Sequence, residues 1–269
     1  MPAPLDDIEW LIRSANRVRV LELLADRPHT RSELEDELDV TRITVNRMLE
    51  GFETREMVRA EGGTTAPLTI TSGGRLIADD LSQLRRTATT ARKIRDIQRF
   101  LPAEEIDFDL RRLGEATITR STRSDYIAPT RREVQLMKSC TDRFLVLGTH
   151  VDQLASQAIA DLLQDTRRFE GICTPDVLET IRSSEEMRRD FIEYIEAGGD
   201  LFSHDYEFPV RLSINDGTVG LSLNDKSGFV PAFIETDDDH VLKWAERTYE
   251  RHRERSKRLD LDDLDRNAR

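Results

Sequence analysis

The 269-residue sequence predicts mixed α+β and α/β structure: a small N-terminal domain of helices and one β-hairpin, a long connecting helix, and a larger C-terminal α/β domain. Three observations predict this organisation. Apolar residues recur at helical spacing until about residue 57, where the period changes to two. Residues 75–100 form one long amphipathic stretch. Beyond residue 104, short apolar strands alternate with amphipathic helices, as is typical of an α/β sheet.

The first two helices of the N-terminal domain are indicated by apolar spacing and by a capping signal. Residues 18–24 (VRVLELL) present one apolar face, and Arg27 and Pro28 end that helix. Thr30 then stands three residues before Glu33. This is a capping-box pattern, in which hydroxyl and carboxylate bond the free amides at a helix start. A second short helix is therefore predicted to begin after Thr30.

A third helix follows a tight turn at residues 39–40, with Thr41 as its cap and Val45, Leu49 and Phe52 on its inner face. Its outer face carries residue types that read DNA. Arginine binds guanine edges or phosphates, asparagine reads adenine, threonine reaches phosphates, and isoleucine touches a thymine methyl group. We predict that the DNA-binding residues of this helix are Thr41, Arg42, Ile43, Thr44, Asn46 and Arg47.

A β-hairpin is predicted after the third helix, because the period changes to two. Residues 58–61 and 67–71 read as its strands, and the glycine-rich residues 62–65 join them. Arg59 is placed to meet the phosphate backbone, and Thr64 and Thr65 are predicted DNA contacts at the tip. The alternative is a small helical domain whose hairpin binds protein.

The stretch DVTRITVNRMLEGFETREMV resembles the winged helix-turn-helix domains of archaeal and bacterial regulators. The resemblance implies a domain that binds double-stranded DNA by placing one helix in the major groove. Glu56 departs from the family pattern, which prefers glycine where the chain turns left-handed after a helix. The departure bears on the shape of that turn and not on the motif.

The acidity of the chain lies mostly outside this N-terminal domain. The net charge is −12 overall. Residues 1–100 carry 16 Lys and Arg against 17 Asp and Glu, a net −1, and residues 101–269 carry the other 24 against 35, a net −11. Lysine is scarce beside arginine, and this balance favours a halophilic archaeal cytoplasm. In such salt the Debye length is ~3 Å or less, so direct hydrogen bonds must carry more of any DNA binding.

Cysteine usage and hydropathy indicate a cytoplasmic protein. Cys140 and Cys173 stand in apolar contexts and are expected to be buried thiols, with a redox pair as the alternative. The sequence has no apolar run near the ~20 residues that span a membrane. The acidic N-terminus does not resemble a signal peptide. We therefore expect no membrane partner.

The connecting segment is predicted to be one helix that ends before Pro102, which cannot continue it. Its apolar residues approximate a spacing of three to four, and arginines occupy the outer side. Such a helix is a natural dimerisation or lever element. Packing on its own chain is the alternative.

The C-terminal domain is predicted to alternate strands with helices. We predict strands at 116–122, 144–149, 168–173, 200–203, 210–214, 218–223 and 229–234, and helices at 131–139, 151–163, 176–181, 185–197 and 237–255. A turn at Asp216 and Gly217 joins two of the strands as a hairpin.

With this order of elements, the chain from about residue 8 to 256 resembles archaeal regulators that have a methanogenesis-regulator (FilR-type) middle domain. The later residues that carry the resemblance are SINDGTVGLSLNDKSGFVPAFIETDDDHVLKWAERTYERHRERS. It implies a sensor domain on a transcription factor.

Candidate effector-binding residues stand near the ends of predicted strands. They are Arg120, Arg123, Tyr126, His150 and His204. An anionic ligand suits the arginines, although surface and capping roles are alternatives for all five. The sequence contains no nucleophile elbow, phosphate loop, zinc spacing or His-x-Lys motif, so no catalytic residue, metal or cofactor is predicted. An enzyme tethered to the helix-turn-helix, acting on a nucleotide or phosphodiester, stays a competing hypothesis.

The sequence thus predicts four segments: a winged helix-turn-helix at 1–74, a connector helix at 75–101, an α/β sensor domain at 102–256 and a charged, frayed tail at 257–269. The expected function is that of a transcriptional regulator. Its expected partners are double-stranded promoter DNA, a second copy of the chain and a small-molecule effector.

Overall fold

The computed structural model describes residues 4–60, 62, 66–102, 104–148, 153–164, 168–205, 208–225 and 229–265. The chain divides into two compact units, Met1–Ala88 and Thr89–Arg269. The first unit is helical with one small hairpin, and the second is built on a large sheet. The predicted combination of helical and α/β parts is confirmed.

The first unit packs its helices around one core. Its helices are α1 (Pro4–Ile12), α2 (Ala15–Asp26), α3 (Arg31–Leu38) and α4 (Arg42–Thr54). Leu21 and Leu24 of α2, Leu34 of α3 and Phe52 of α4 are buried together there. The sequence analysis did not predict α1, which covers this core with Leu11.

The hairpin closes the first unit. Strands β1 (Val58–Ala60) and β2 (Leu68–Ile70) pair antiparallel, with Val58 opposite Ile70. The backbone of His29 exchanges hydrogen bonds with Leu68, its N–H donating over 3.2 Å and its carbonyl accepting over 2.7 Å. The hairpin is thereby fixed to the turn between α2 and α3.

Helix α5 (Ser72–Lys93) begins earlier and ends earlier than the predicted connector at 75–101. It begins earlier because the Thr71 hydroxyl accepts a hydrogen bond from the N–H of Gly74 over 3.0 Å. It ends at Lys93 because Ile94 and Ile97 turn into the core of the second unit. A short 3-10 turn at Gln98–Phe100 follows.

The second unit contains an eight-stranded sheet with the order β10-β6-β5-β4-β7-β8-β9-β3. Its strands are β3 (Thr117–Arg120), β4 (Arg143–Gly148), β5 (Arg168–Cys173), β6 (Asp200–Ser203), β7 (Val210–Asn215), β8 (Thr218–Leu223), β9 (Ala232–Thr236) and β10 (Lys257–Arg258). The neighbours β4, β5 and β6 pair in parallel. The other neighbouring pairs are antiparallel.

Helices cover both faces of this sheet, so two cores form. The helices of the unit are α6 (Ala128–Lys138), α7 (Gln153–Gln164), α8 (Pro175–Ser183), α9 (Glu185–Glu196), α10 (Asp239–Arg253) and α11 (Leu261–Asp265). One core holds Trp244 and Tyr249 of α10 against the sheet. The other holds Met137 of α6, Ile181 of α8 and Tyr194 of α9.

The last residues correct the sequence analysis. Lys257–Asp265 were expected to be part of a charged, frayed tail, but they form β10 and α11. Leu259 and Leu264 are buried in the second core, and Arg182 donates two hydrogen bonds to the Asp263 carbonyl. These long-range contacts order a segment whose local sequence is mostly charged.

Most strands form where the sequence predicted them. The predicted bounds 168–173, 200–203 and 218–223 coincide with β5, β6 and β8. The strand predicted at 229–234 is instead β9, because Ala232–Thr236 pairs with both β8 and β3. Cys140 and Cys173 are both buried, as expected. None of the helices in the described ranges is long and apolar enough to cross a membrane.

Candidate nucleic-acid interface

The helix predicted to read DNA, α4, follows α3, and each of these two helices is capped at its start. Thr30 and Glu33 form the predicted capping box at the start of α3. Asp39 ends α3 in the left-handed conformation (φ 52°), and Thr41 caps α4 by accepting from the Thr44 N–H over 3.4 Å. The turn and the second cap fix the direction in which α4 leaves α3.

The inner face of α4 is anchored in the core of the first unit. Val45, Met48, Leu49 and Phe52 are all buried there. Because these residues recur every three or four positions, the residues between them point away from the core. The helix therefore has one fixed apolar side and one outward side.

The outward side of α4 carries the predicted DNA-binding residues. Thr41, Arg42, Ile43 and Arg47 are exposed, and Thr44 and Asn46 are half-buried. Ile43 is 81% exposed, so a large apolar side chain stands between two arginines with no cover from its own unit. All six predicted residues of this helix are therefore at least partly accessible to solvent.

The hairpin brings one more predicted residue to the surface. Arg59 on β1 is exposed, and its Nε donates to the Thr69 hydroxyl across the hairpin over 3.3 Å. Thr64 and Thr65, predicted at the tip, lie outside the described residues.

Glu56 keeps the backbone shape that a glycine would adopt. Its φ is 54°, in the left-handed region that costs a residue with a side chain about 1–2 kcal/mol. The Thr71 hydroxyl donates to the Glu56 carbonyl over 2.7 Å and supports the turn. The departure from the family pattern therefore leaves the motif in place.

The structure adds a basic cluster that the sequence analysis did not single out. The guanidinium carbons of Arg17 and Arg55 lie 4.4 Å and 4.1 Å from the centroid of the Trp10 ring. Trp10 itself packs edge-on against Phe52 of α4. The cluster depends on contacts between α1, α2 and α4, which local sequence patterns do not show. The one signal in the sequence was a tryptophan in the short segment that forms α1.

The predicted effector-binding residues are not gathered at one site. Arg120 ends β3, at one end of the sheet, whereas His204 follows β6, six strands away. At about 4.8 Å between strands, that separation is roughly 29 Å. His150 lies outside the described residues. A single small ligand cannot touch both Arg120 and His204, so these two candidates would belong to separate sites.

The individual effector candidates have distinct surroundings. Arg120 donates to both carboxylate oxygens of Asp96, over 2.7 and 3.1 Å, and to the Lys93 carbonyl. This pairing lowers the pKa of Asp96. Arg123 is exposed and Tyr126 is 68% exposed. The His204 ring lies 5.0 Å from the ring of His252.

The described part of the chain shows no metal-binding group of three or more His, Cys, Asp or Glu residues. Burial raises the pKa of the Cys173 thiol to about 12, which keeps it protonated. Cys173 donates to the Phe202 carbonyl over 3.2 Å. The environment of this thiol is therefore that of a core residue.

Two protein families match the two units. Residues 5–93 match the family described as the HVO_A0261 N-terminal domain. Residues 127–255 match the family described as the middle domain of the methanogenesis regulatory protein FilR1. No curated protein sequence matches the chain.

Several solved structures are similar at low identity. TrmBL2, an archaeal chromatin protein with a novel mode of DNA binding, is 15% identical with a TM-score of 0.44, over 91% of this chain and 93% of its own. Nuc, a phospholipase D family member from Salmonella typhimurium, is 9% identical with a TM-score of 0.43, over 54% of this chain and 99% of its own. The adhesin competence repressor AdcR from Streptococcus pyogenes is 17% identical with a TM-score of 0.28, over 34% of this chain and 69% of its own.

The two family matches agree with the order of elements in the two units, a winged helix-turn-helix followed by a mixed sheet domain. Together they cover most of the chain and confirm the resemblance found in the sequence. The chain joins a domain of the HVO_A0261 N-terminal family to a middle domain of the FilR1 family.

Proposed function

We propose that this protein is a sequence-specific transcriptional regulator that places α4 in the major groove of promoter DNA. The observation that carries the proposal is the outward side of α4. A helix capped at its start and anchored by four buried residues presents Arg42, Ile43, Asn46 and Arg47 to the outside. These are the residue types that read base edges in the major groove.

The electrostatic surroundings of α4 support the proposal. Neither Arg42 nor Arg47 makes an ion pair with a described carboxylate, although the chain carries 52 Asp and Glu. By contrast Arg13, Arg27 and Arg55 of the same unit each pair with an acidic side chain. The two arginines on the outward side therefore keep their charge for an external anion, and DNA phosphates and guanine edges both suit a guanidinium.

We propose that the protein acts as a homodimer in which α5 pairs two copies. Leu76 and Leu84, two helical turns apart, are 69% and 61% exposed. Pairing with a second copy would remove these side chains from water, and a symmetric dimer favours two half-sites about one turn of DNA apart, ~34 Å. A Leu76→Glu/Leu84→Glu variant that still sediments as wild type would exclude this arrangement.

The proposal extends to the second unit as the receiver of a signal, either a small molecule or a partner protein. An effector can act only if it binds two arrangements of the regulator with different affinity. Of the predicted contacts, Arg123 and Tyr126 follow the same strand and are both exposed, so one ligand can reach both. We assign the chain no catalytic role.

Genome-wide DNA occupancy in the native host tests the central proposal. The comparison is between wild type, the Arg42→Ala/Arg47→Ala double variant and an Arg27→Ala control, in which an exposed arginine paired with Glu33 is removed. Discrete promoter peaks in wild type and the control that vanish in the double variant are expected. A folded, expressed wild type without peaks would contradict the proposal, as would peaks unchanged in the double variant.

A further inference from the structure

We propose that Arg17 binds a phosphate of the DNA backbone beside α4, next to Arg47. This inference rests on the proposed DNA-binding function and adds a contact on a different helix. Contacts of this kind fix the register of a protein on the duplex and do not read sequence.

The position of Arg17 is set by Trp10 and by a glycine in α4. A Cβ on Gly51 would lie 2.3 Å from Cζ2 of Trp10, so the glycine makes the space that the indole occupies. Arg47 and Arg55 stand four residues before and after Gly51, and residues four apart share one side of a helix. Trp10 therefore sits on α4 between two arginines.

Arg17 reaches this place from the first turn of α2. Its guanidinium lies over the Trp10 ring, and its Nη1 donates to the Trp10 carbonyl over 2.6 Å. Stacking and one hydrogen bond fix the plane of the guanidinium. A guanidinium has five N–H donors, so donors remain for an anion at its outer edge.

The two arginines that share Trp10 differ in their counter-charge. The Nε of Arg55 lies 2.9 Å from Oδ1 of Asp7, which neutralises that cation. Arg17 pairs with no carboxylate in the described part of the chain, whereas Arg13 and Arg19 on either side of it pair with Glu9 and Glu22. Of the two guanidiniums that lie over Trp10, that of Arg17 is the one without a described carboxylate partner.

The neighbours of Arg17 make an anion favourable there. Partial burial, followed by the charges of Arg55 and Arg47, lowers the pKa of the Arg17 guanidinium. Like charges held close together repel, and an anion bound among them removes that cost. Arg17 lies in the first turn of α2, where the positive end of the helix dipole adds to the local charge.

A backbone phosphate is the anion that this location favours. Arg47 is on the outward side of α4, which the proposed function places against the duplex, and Arg17 is beside it. A free phosphate ion has the same chemistry, so the test separates the two sources. Sequence patterns did not single out Arg17, because its position depends on Trp10 and Gly51, which lie on two other helices.

The experiment measures the affinity of the full-length protein for a bound promoter duplex and for an unrelated duplex, by fluorescence anisotropy at several KCl concentrations. The variants are Arg17→Gln, Arg17→Met, Arg17→Lys and the matched control Arg19→Gln on the same helix. Arg17→Gln is expected to weaken binding to both duplexes by roughly tenfold. It should also reduce the slope of log K against log[salt] by about one. Arg19→Gln should match wild type.

The outcomes separate this inference from the proposed function. Wild type without affinity for any duplex would overturn the proposed function. Normal wild-type binding with an unchanged slope in Arg17→Gln would overturn only the role of Arg17, and so would a loss confined to one sequence. If Arg17→Gln fails to fold by thermal melting, Arg17→Met decides, because its side chain can pack on Trp10 but carries no charge. A salt slope reduced by about one then supports the phosphate contact, and an unchanged slope contradicts it. Arg17→Lys keeps a cation that can bind phosphate, so it should retain the wild-type slope.

Replacing chloride by inorganic phosphate at constant ionic strength tests the source of the anion. The expected result is no displacement of DNA beyond that in chloride. Displacement from wild type but not from Arg17→Gln would show that the site takes free phosphate and would overturn the assignment to the DNA backbone.

Discussion

The arginines of the two units differ in what they contact. In the second unit many of them pair with carboxylates of the same chain: Arg120 with Asp96, Arg131 with Asp125, Arg132 with Glu235, Arg211 with Glu133 and Arg253 with Glu170. In the first unit Arg17, Arg42 and Arg47 make no ion pair with a described carboxylate. The comparison separates arginines whose charge is paired within the chain from arginines whose charge can bind an external partner.

The same comparison explains how an acidic chain can bind DNA. The net charge of −12 is concentrated after residue 100, where acidic side chains pair with many of the arginines. Phosphates respond to charge within about a Debye length, roughly 10 Å or less at 0.1 M salt and above. DNA binding therefore depends on the charge beside α4 and not on the net charge of the chain. The expected effect of replacing an arginine depends on whether it pairs with a carboxylate of its own unit.

The largest expected effect is on the buried pair of the second unit. Arg211 and Glu133 are each 3% exposed and lie 3.0 Å apart, and the Ser222 hydroxyl donates to Glu133 over 2.7 Å. Glu133→Ala should lower the free energy of unfolding by about 3–5 kcal/mol, because it leaves a buried cation without its carboxylate. Urea denaturation measures this. Arg132 lies beside Glu133 on α6 and pairs with Glu235 of β9, and this pair is more exposed. Arg132→Gln should therefore lower the free energy of unfolding by less than about 1 kcal/mol.

A loss below 1 kcal/mol in Glu133→Ala would show that Arg211 does not need its partner. The distinction between structural and available arginines would then fail at its clearest example.

Gly51→Ala should destabilise the first unit, although alanine normally favours a helix by up to about 1 kcal/mol. The added Cβ would lie 2.3 Å from Trp10, so the indole must move. Overpacking of this kind costs about 1–3 kcal/mol. Thermal melting checks the sign. A melting temperature above that of wild type would mean that Trp10 does not pack on Gly51, and the cluster around Arg17 would lose its support.

Replacing Arg42 or Arg47, which make no described ion pair, should weaken DNA binding and leave the stability of the protein unchanged. Arg42→Ala and Arg47→Ala should each weaken promoter binding by about 1–3 kcal/mol if a bidentate base contact is lost. Neither residue makes an ion pair in the described structure, so the melting temperature should stay at the wild-type value. Loss of stability with unchanged affinity would reverse the assignment of these two residues.

Glu56→Gly should stabilise the first unit by about 1 kcal/mol. Glu56 holds a φ of 54°, which glycine adopts without the steric cost that a side chain imposes. Chemical denaturation of wild type and variant gives the difference. A destabilised variant would indicate that the Glu56 side chain makes a contact that outweighs the backbone cost.

A further effect concerns pH and belongs to the second unit. Burial, followed by the charge of His204, lowers the pKa of His252 from 6.5 to about 4. The unfolded chain therefore binds a proton more readily than the native state, and stability falls as pH drops from about 6.5 towards 4. A His252→Asn variant should show a flatter dependence of its urea midpoint between pH 7 and 4.5. An equally steep dependence would remove His252 as its cause.

Local signals allowed the recognition unit to be predicted. The capping box of Thr30 and Glu33, the cap Thr41 and the buried spacing of α4 each depend on residues three or four apart, and the structure confirms them. Strands β5, β6 and β8 were predicted at their observed bounds because short apolar runs stood between clear turn signals. The DNA contacts themselves stay predictions.

Long-range contacts could not be predicted from local patterns. Arg120 was a candidate ligand contact, but it pairs with Asp96, 24 residues earlier. Leu259 and Leu264 look isolated among charges, yet they are buried in the second core. Arg17 gains its position only through Trp10 and Gly51, on two other helices. Each case depends on tertiary packing between segments that are distant in sequence or lack a shared period.

The most direct test of the account is the affinity of purified protein for promoter duplexes recovered from the native host, measured at one fixed salt concentration against scrambled duplexes. Wild type should prefer the promoter sequence, and Arg42→Ala/Arg47→Ala should lose that preference while it melts at the wild-type temperature. Equal affinity of wild type for promoter and scrambled DNA, or an unchanged preference in the double variant, would contradict the claim that α4 reads DNA with Arg42 and Arg47.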